Sequence, residues 1–168
     1  MKVKIIRLVD AKPVTARILK PSIIPLPSIT DGWRFNFKSQ AKKKGYQTYI
    51  LVREETPQVI EACLIFQLRD EQEPYMAYIE IAPHNKGANK QFDKVAGCLI
   101  AFASRLSFIH GKDHFKGWLA FDVLEEDKKD ELKLMALYCQ KYGALKWGET
   151  TLVLSPEAGE KLIAEYLN

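Results

Sequence analysis

Cysteine is scarce in this chain. Its three copies, Cys63, Cys98 and Cys139, lie far apart in apolar surroundings, and no Cys-x-x-Cys pair occurs. That excludes a disulfide framework and a thiolate zinc site, and predicts buried thiols of a reducing compartment. Histidine is as rare. His110 and His114 flank a glycine turn, which is too little for a metal ligand set, so no metal is expected. Long hydrophobic runs are missing. The opening stretch MKVKIIRLVDAKP is interrupted by Arg7 and Asp10, and nothing approaches the ~20 apolar residues of a membrane span. The expectation is a cytoplasmic protein with no membrane partner. A strong charge excess is missing too. With 25 basic and 21 acidic residues the net charge is +4, a weaker imprint than nucleic-acid binding usually leaves. The lysines at 38 and 42–44 read as a solvated helix end. Finally, GxxxxGK[ST], GxGxxG with its acidic follower, and GxSxG are all absent, which excludes obvious triphosphate, dinucleotide and serine-hydrolase sites.

What is present suits a globular protein. The 168 residues, 47% of them hydrophobic, predict one domain over 1–168 with a proper core. Residues 3–9 read as a strand. Pro13, Pro21, Pro25 and Pro27 rule out one continuous helix over 10–27. A helix is predicted over 31–44, from Trp33, Phe37 and Ala41 at helical spacing, stopped by Gly45. Strands at 47–54, 58–70 and 74–82 with short polar connectors form an antiparallel meander. A helix over 94–110 and a near-continuous apolar strand at 117–123 follow. Next come a helix over 125–142 with Leu132 and Met135 inward, strand-like residues 144–154, and a last helix begun by Ser155-Pro156. The strand–helix–strand step from 74–82 to 117–123 is a crossover, so those two strands are parallel. The fold class is α+β: a mixed, mostly antiparallel sheet between helices.

The stretch APHNKGANKQFDKVAGCLIAFASRLS, from Ala82 to Ser107, joins the third meander strand to the 94–110 helix. Its loop is rich in Asn, Gly and Lys. A loop of that kind opening into a helix presents free N–H groups and the positive end of the helix dipole, a setting that binds phosphate oxygens. The turn from Gln91 to Gly97, with Lys86, Lys90 and Lys94 adding charge, is the candidate anion site.

Gln91-Phe92-Asp93-Lys94-Val95-Ala96 resembles the phosphate loop of the GNAT acyltransferase superfamily, Gln/Arg-x-x-Gly-x-Gly/Ala. It matches at the first and last positions, with Lys94 where the family has its first glycine. The element order over roughly 45–154 is also similar. Residues 32–37, 82–87 and 142–144 resemble a poorly characterised bacterial subgroup. The resemblance implies a GNAT-like sheet with a splay between strands 74–82 and 117–123. It implies a pantetheine arm against Ile81 and Ala82, and a pyrophosphate on Lys90, Gln91, Phe92, Asp93, Lys94, Val95, Ala96 and Gly97. The implied activity is acetyl-CoA-dependent N-acetylation of a small-molecule or protein amine by direct transfer, in a monomer or homodimer. The alternative is a non-catalytic module of this fold that binds CoA or a protein partner.

Such a transfer needs a proton taken from the amine and charge stabilised on the thioester oxygen. Glu80 is the candidate base, because a carboxylate in the apolar run YIEIA is costly without a partner or a task. Tyr138 is the candidate acid, with Cys139 and Tyr142 as alternative registers before Gly143.

Overall fold

The computed structural model describes residues 1–168. Nine strands form one sheet in the order β6-β1-β2-β3-β4-β5-β7-β9-β8. The strands are β1 (Lys2–Arg7), β2 (Lys12–Leu19), β3 (Tyr46–Arg53), β4 (Thr56–Arg69), β5 (Glu73–Ile81), β6 (Phe92–Asp93), β7 (Leu119–Asp122), β8 (Leu145–Lys146) and β9 (Thr151–Leu154). The helices are α1 (Phe37–Gln40), α2 (Val95–His110), α3 (Lys128–Tyr142) and α4 (Pro156–Tyr166). Only β5 and β7 run parallel. No helix is long and apolar enough to cross a membrane.

The meander β3–β4–β5, the crossover helix α2 and the parallel partner β7 stand where the pattern predicts them. So does α4, whose cap Ser155 accepts the Ala158 N–H at 3.2 Å. Strand β2 was not expected. In KPVTARIL, Val14, Ala16 and Ile18 are buried while their neighbours face outward. That period-2 alternation pairs the strand with β1 as a hairpin, Pro13 included. Residues 144–154 are not one strand but a short hairpin, β8–β9.

The helix predicted over 31–44 is largely absent. Residues 29–31 form a 3₁₀ turn, and α helix is confined to Phe37–Gln40. The reason is local. The N–H groups of Arg34 and Phe35 donate to the Glu80 carboxylate, each at 2.9 Å. A charge-assisted bond to a carboxylate outweighs the weak helix propensity of WRFNF.

The core has two parts. The larger lies between the sheet and α2 and α4, with Phe66, Leu99 and Leu119 fully or nearly fully buried. The smaller lies on the opposite face, where Trp33 and Phe37 pack over Ile50, Cys63 and Ile65. Cys63 and Cys98 are buried free thiols. Helix α3 is loosely packed. Of its residues only Glu131, Met135 and Tyr142 are buried, and Leu132, expected inward, is half exposed.

Candidate functional site

The site begins with a defect in strand pairing. Strand β5 follows β4 from Glu73 to Ile81 with one irregularity: Ile65 is opposite Tyr78, while Phe66 is opposite Met76. Ala77 is therefore a bulged residue. A bulge bends its strand and sharpens the local twist. On the other edge of β5, the parallel strand β7 is registered at one pair only, Tyr75 with Ala120. Beyond that pair the strands part. The gap holds a cavity of about 80 Å³ between Met76–Ile79 on β5 and Phe121–Glu125, the end of β7 and the residues after it. It adjoins a larger cavity of about 530 Å³ on the face of the sheet that carries Tyr46, Tyr75 and Tyr78. Arg34, Phe35 and Asp122 are common to both.

Tyr138 reaches this gap from α3, packed on Phe121 at 5.0 Å and on Tyr142 at 5.9 Å. Its hydroxyl has no partner within the protein. Burial, with a smaller contribution from Glu125, pushes the phenol up to about 12, so it stays protonated at neutral pH. Of the three candidate registers, Tyr138 lines the gap. Tyr142 is buried toward Tyr166, at 6.4 Å. Cys139 packs against the larger core.

Glu80 is buried beside the gap. Its Oε2 accepts from the Arg34 N–H at 2.9 Å and from Lys86 Nζ at 2.7 Å, and its Oε1 from the Phe35 N–H at 2.9 Å. This differs from the free, desolvated carboxylate expected of a general base. Three donors already occupy its two oxygens. Arg34, so anchored, spans the mouth of the gap. Its guanidinium donates to Glu125 Oε1 and to the Leu124 carbonyl, both at 2.7 Å.

Asp122 is the acidic group that sequence reading missed. It accepts from Tyr75 at 2.5 Å, Thr151 at 2.7 Å and Thr150 at 2.9 Å. Burial pushes its carboxyl up, but these three hydroxyls and nearby Arg69 outweigh that and hold it below the usual aspartate range. The signal was present: an aspartate ends the apolar run GWLAFDV, where a charge is costly without partners.

The candidate anion loop is internally tied. Buried Asn85 accepts the N–H groups of Gln91 (2.7 Å) and Phe92 (2.8 Å) and donates to the Phe92 carbonyl (3.0 Å). Residues 92–93 join the sheet against β1. The N–H groups of Gln91 and Phe92 are thus spent on the fold. Ala82 is spent as well: its N–H donates to the Glu61 carbonyl and its own carbonyl accepts from Asn85, both at 2.9 Å. Ile81 is paired with Ala62 at the edge of β4. The β5 residues that border the gap are Met76 to Ile79 instead. Lys90 pairs with Asp93 at 3.0 Å, and that contact, with the Lys94 N–H, holds the Asp93 carboxyl below its ordinary range.

The first turn of α2 carries no side-chain cap. Lys94, its N-cap, sits in the left-handed region at φ 69. That is a conformation a glycine would take without cost. Val95, Ala96 and Gly97 follow with the unpaired N–H groups of a helix start. Gly97 has a packing reason of its own. A Cβ there would clash with the Tyr166 ring.

No family model and no curated protein matches this sequence. Solved structures do match. A KacTA–DNA complex aligns at TM-score 0.61 and 15% identity over 89% of this chain and 99% of that one. A mutant AtaT toxin, bound to the C-terminus of the antitoxin AtaR and to acetyl-CoA, aligns at TM-score 0.55 and 16% identity over 88% and 98%. A mutant of the spermidine N-acetyltransferase SpeG from Vibrio cholerae aligns at TM-score 0.51 and 13% identity over 73% and 72%. The chain has the GNAT fold. The single parallel pair and the splay beyond it are what the resemblance implied for strands 74–82 and 117–123.

Proposed function

We propose that this protein is an acetyl-CoA-dependent N-acetyltransferase with an amine acceptor. The observation that carries the reading is the gap between β5 and β7, bordered by a bulged strand and faced by a tyrosine hydroxyl without a partner in the protein. The residues present fit such a cofactor. The uncapped first turn of α2, with N–H groups from Val95 to Gly97, suits a pyrophosphate. The widened gap suits a thin chain lying along β5. Among the similar structures, the AtaT toxin is bound to acetyl-CoA and SpeG is a spermidine N-acetyltransferase.

When bound, acetyl-CoA supplies an acetyl group activated as a thioester. The protein's own part is then positional and protonic. Backbone N–H groups around the Ala77 bulge would face the carbonyl oxygen and stabilise charge that builds there. Tyr138, held protonated, is the proton donor to the leaving sulfur. Glu80 acts by position: it fixes Arg34 and Phe35 at the mouth of the gap. Asp122 and the rings of Tyr46, Tyr75 and Tyr78 give the acceptor side an anionic and aromatic character suited to an ammonium group, which would then release its proton to solvent water before attack.

A second reading, a non-catalytic module of this fold that docks a protein partner, is favoured by one feature. The Asp93 carboxylate stands at the start of α2, where a pyrophosphate would need to lie. The KacTA and AtaT structures contain partner molecules, DNA and an antitoxin respectively. Calorimetric titration with acetyl-CoA and with CoA decides between the two. Saturable heat, together with a rise in melting temperature, supports the transferase. No binding at millimolar ligand removes it and leaves the partner module.

A further inference from the structure

A further cavity, of about 530 Å³, lies at the end of β7 opposite the splay, bounded by Trp118, Trp147, Phe115, Arg69, Glu73 and Thr151. We infer that it is a binding site for a planar heteroaromatic ring of the nucleobase class, one whose edge carries adjacent hydrogen-bond acceptor and donor groups. The inference does not depend on acetyl-CoA binding.

Three observations carry it. The first is the aromatic wall. Trp118 and Trp147 come from different elements, the entry to β7 and the β8–β9 turn, yet their rings lie 6.3 Å apart at 53°. Trp147 is 71% exposed. An indole so displayed at the rim of a hollow, with a second indole behind it, offers π-faces for a flat ligand. Base-on-aromatic stacking is a recurrent source of affinity for flat rings and tolerates different bases.

The second is the polar edge. Arg69 lies flat on Tyr75, with its guanidinium carbon 3.9 Å from the ring centre. Of its nitrogens, Nη2 donates to Glu73 Oε1 at 2.9 Å, Nε is enclosed with no partner in the protein, and Nη1 makes no hydrogen bond within the protein. The other oxygen of Glu73 accepts nothing. The site therefore offers a guanidinium donor, Nη1, beside a spare acceptor. A nucleobase edge supplies the matching pair: N7 with N6–H in adenine, O6 with N1–H in guanine. A purely apolar ring would leave both protein groups unmet.

The third is placement. Strand alternation puts Trp118, Ala120 and Asp122 on one face of the sheet. Ala120 is opposite Tyr75 on one side and Val153 on the other, and Asp122 is opposite Thr151. Thr151 lines the hollow and also bonds Asp122. Tyr75 carries Arg69 on its ring and bonds Asp122 with its hydroxyl. The hollow thus abuts the splay through one polar wall, two residues or roughly 7 Å along β7. A ligand seated there lies beside the proposed acceptor face. Size and lining also suit a small-molecule site, with aromatic walls and a few placed polar groups.

The test uses the intact protein without CoA. Nitrogen-15 labelling gives three indole N–H signals, assigned with Trp147→Ala and Trp118→Phe. Trp33, buried in the smaller core on the Phe37 side, is the internal reference. Titration with adenosine and with guanosine should move the Trp118 and Trp147 signals saturably and leave Trp33 still. Ribose, the sugar control, should move none. Toluene, the apolar-ring control, should bind at least several-fold more weakly than the better nucleoside. Trp147→Ala should weaken that nucleoside by about tenfold, and Arg69→Gln should narrow its advantage over toluene. Because Trp147 is exposed, its replacement leaves the fold intact, which the unchanged Trp33 signal checks. The inference is overturned if neither nucleoside shifts the two signals up to its solubility limit. It is overturned equally if toluene binds as tightly as the nucleosides, or if Trp147→Ala leaves nucleoside affinity unchanged.

Discussion

Along its β4 edge, strand β5 is paired from Glu73 to Ile81, with one bulge. Along its β7 edge it meets one residue, Ala120. The same nine residues therefore make one closed seam and one open seam. On the closed side, donors and acceptors are spent on each other. On the open side stand a hydroxyl with no partner, a bulged backbone and the cavity between the strands. The comparison teaches where this fold can do chemistry. A saturated ladder has nothing left to offer a ligand. An interrupted one has groups already held in place and unspent, which is what preorganised binding requires.

Five changes test that contrast. Glu80→Ala acts on the closed side and should have the largest effect. It removes the acceptor of two backbone N–H groups and of Lys86. The expected loss is about 3 kcal/mol, since each orphaned buried donor costs roughly 1–3 kcal/mol and Lys86 can turn to solvent. Urea denaturation measures it. Glu80→Gln with full stability and a shifted pH–rate profile would restore the carboxylate to a catalytic role.

Tyr138→Phe acts on the open side. Its hydroxyl has no protein partner, so the melting temperature should hardly move. Acetyl transfer, once an acceptor is found by amine screening, should slow by about 10²-fold, near 2.7 kcal/mol on the barrier. A destabilised but fully active variant would invert the assignment of the two sides.

Gly97→Ala tests the closed packing of α2 on α4. Alanine ordinarily favours a helix interior by about 1 kcal/mol over glycine. Here its Cβ would meet the Tyr166 ring, so the sign should reverse to a loss of about 1–3 kcal/mol.

The pH dependence of the open side follows from Asp122. Its folded pKa lies below the ordinary value of 3.8. Its contribution to stability is therefore present above that value and lost as pH falls through the folded one. Acid unfolding below about pH 4 should be less steep in Asp122→Asn, as followed by circular dichroism.

Lys94→Gly should have the smallest effect. It relieves a left-handed lysine but adds chain entropy to the unfolded state, for a net gain of about 0.5 kcal/mol. Weaker CoA binding despite that gain would show that the Lys94 charge serves the anion site.

Much of the fold was legible in the sequence. Helix α2 announces itself by small and apolar residues on a helical period, and β7 by a short apolar run. The crossover rule then made the two flanking strands parallel. Helix α4 is marked by Ser155-Pro156. Less of the site was legible. Tyr138 was readable as one of three registers, and the structure brings that one to the gap. The bulge at Ala77 leaves no trace in PYMAYIEIA, because a bulge is a property of the register between two strands. Residues 31–44 misled for a related reason: their apolar spacing is helical, but a carboxylate far along the chain takes their N–H groups.

What the sequence determined by itself is thus the set of local choices: which segments are strands, where helices start, and the hand and direction of the crossover. These depend on side-chain periodicity, caps and backbone sterics, which act within a few residues. What only the tertiary structure decided is which polar groups remain unspent. Glu80 became a clamp because Arg34 and Phe35 arrived beside it. Asp122 became a shared anchor because Tyr75, Thr150 and Thr151 converged on it. The Trp118–Trp147 wall exists because β7 and the β8–β9 turn meet at one end of the sheet. Each outcome is a pairing between residues distant in the chain, and the free energy of such a pair belongs to neither residue alone.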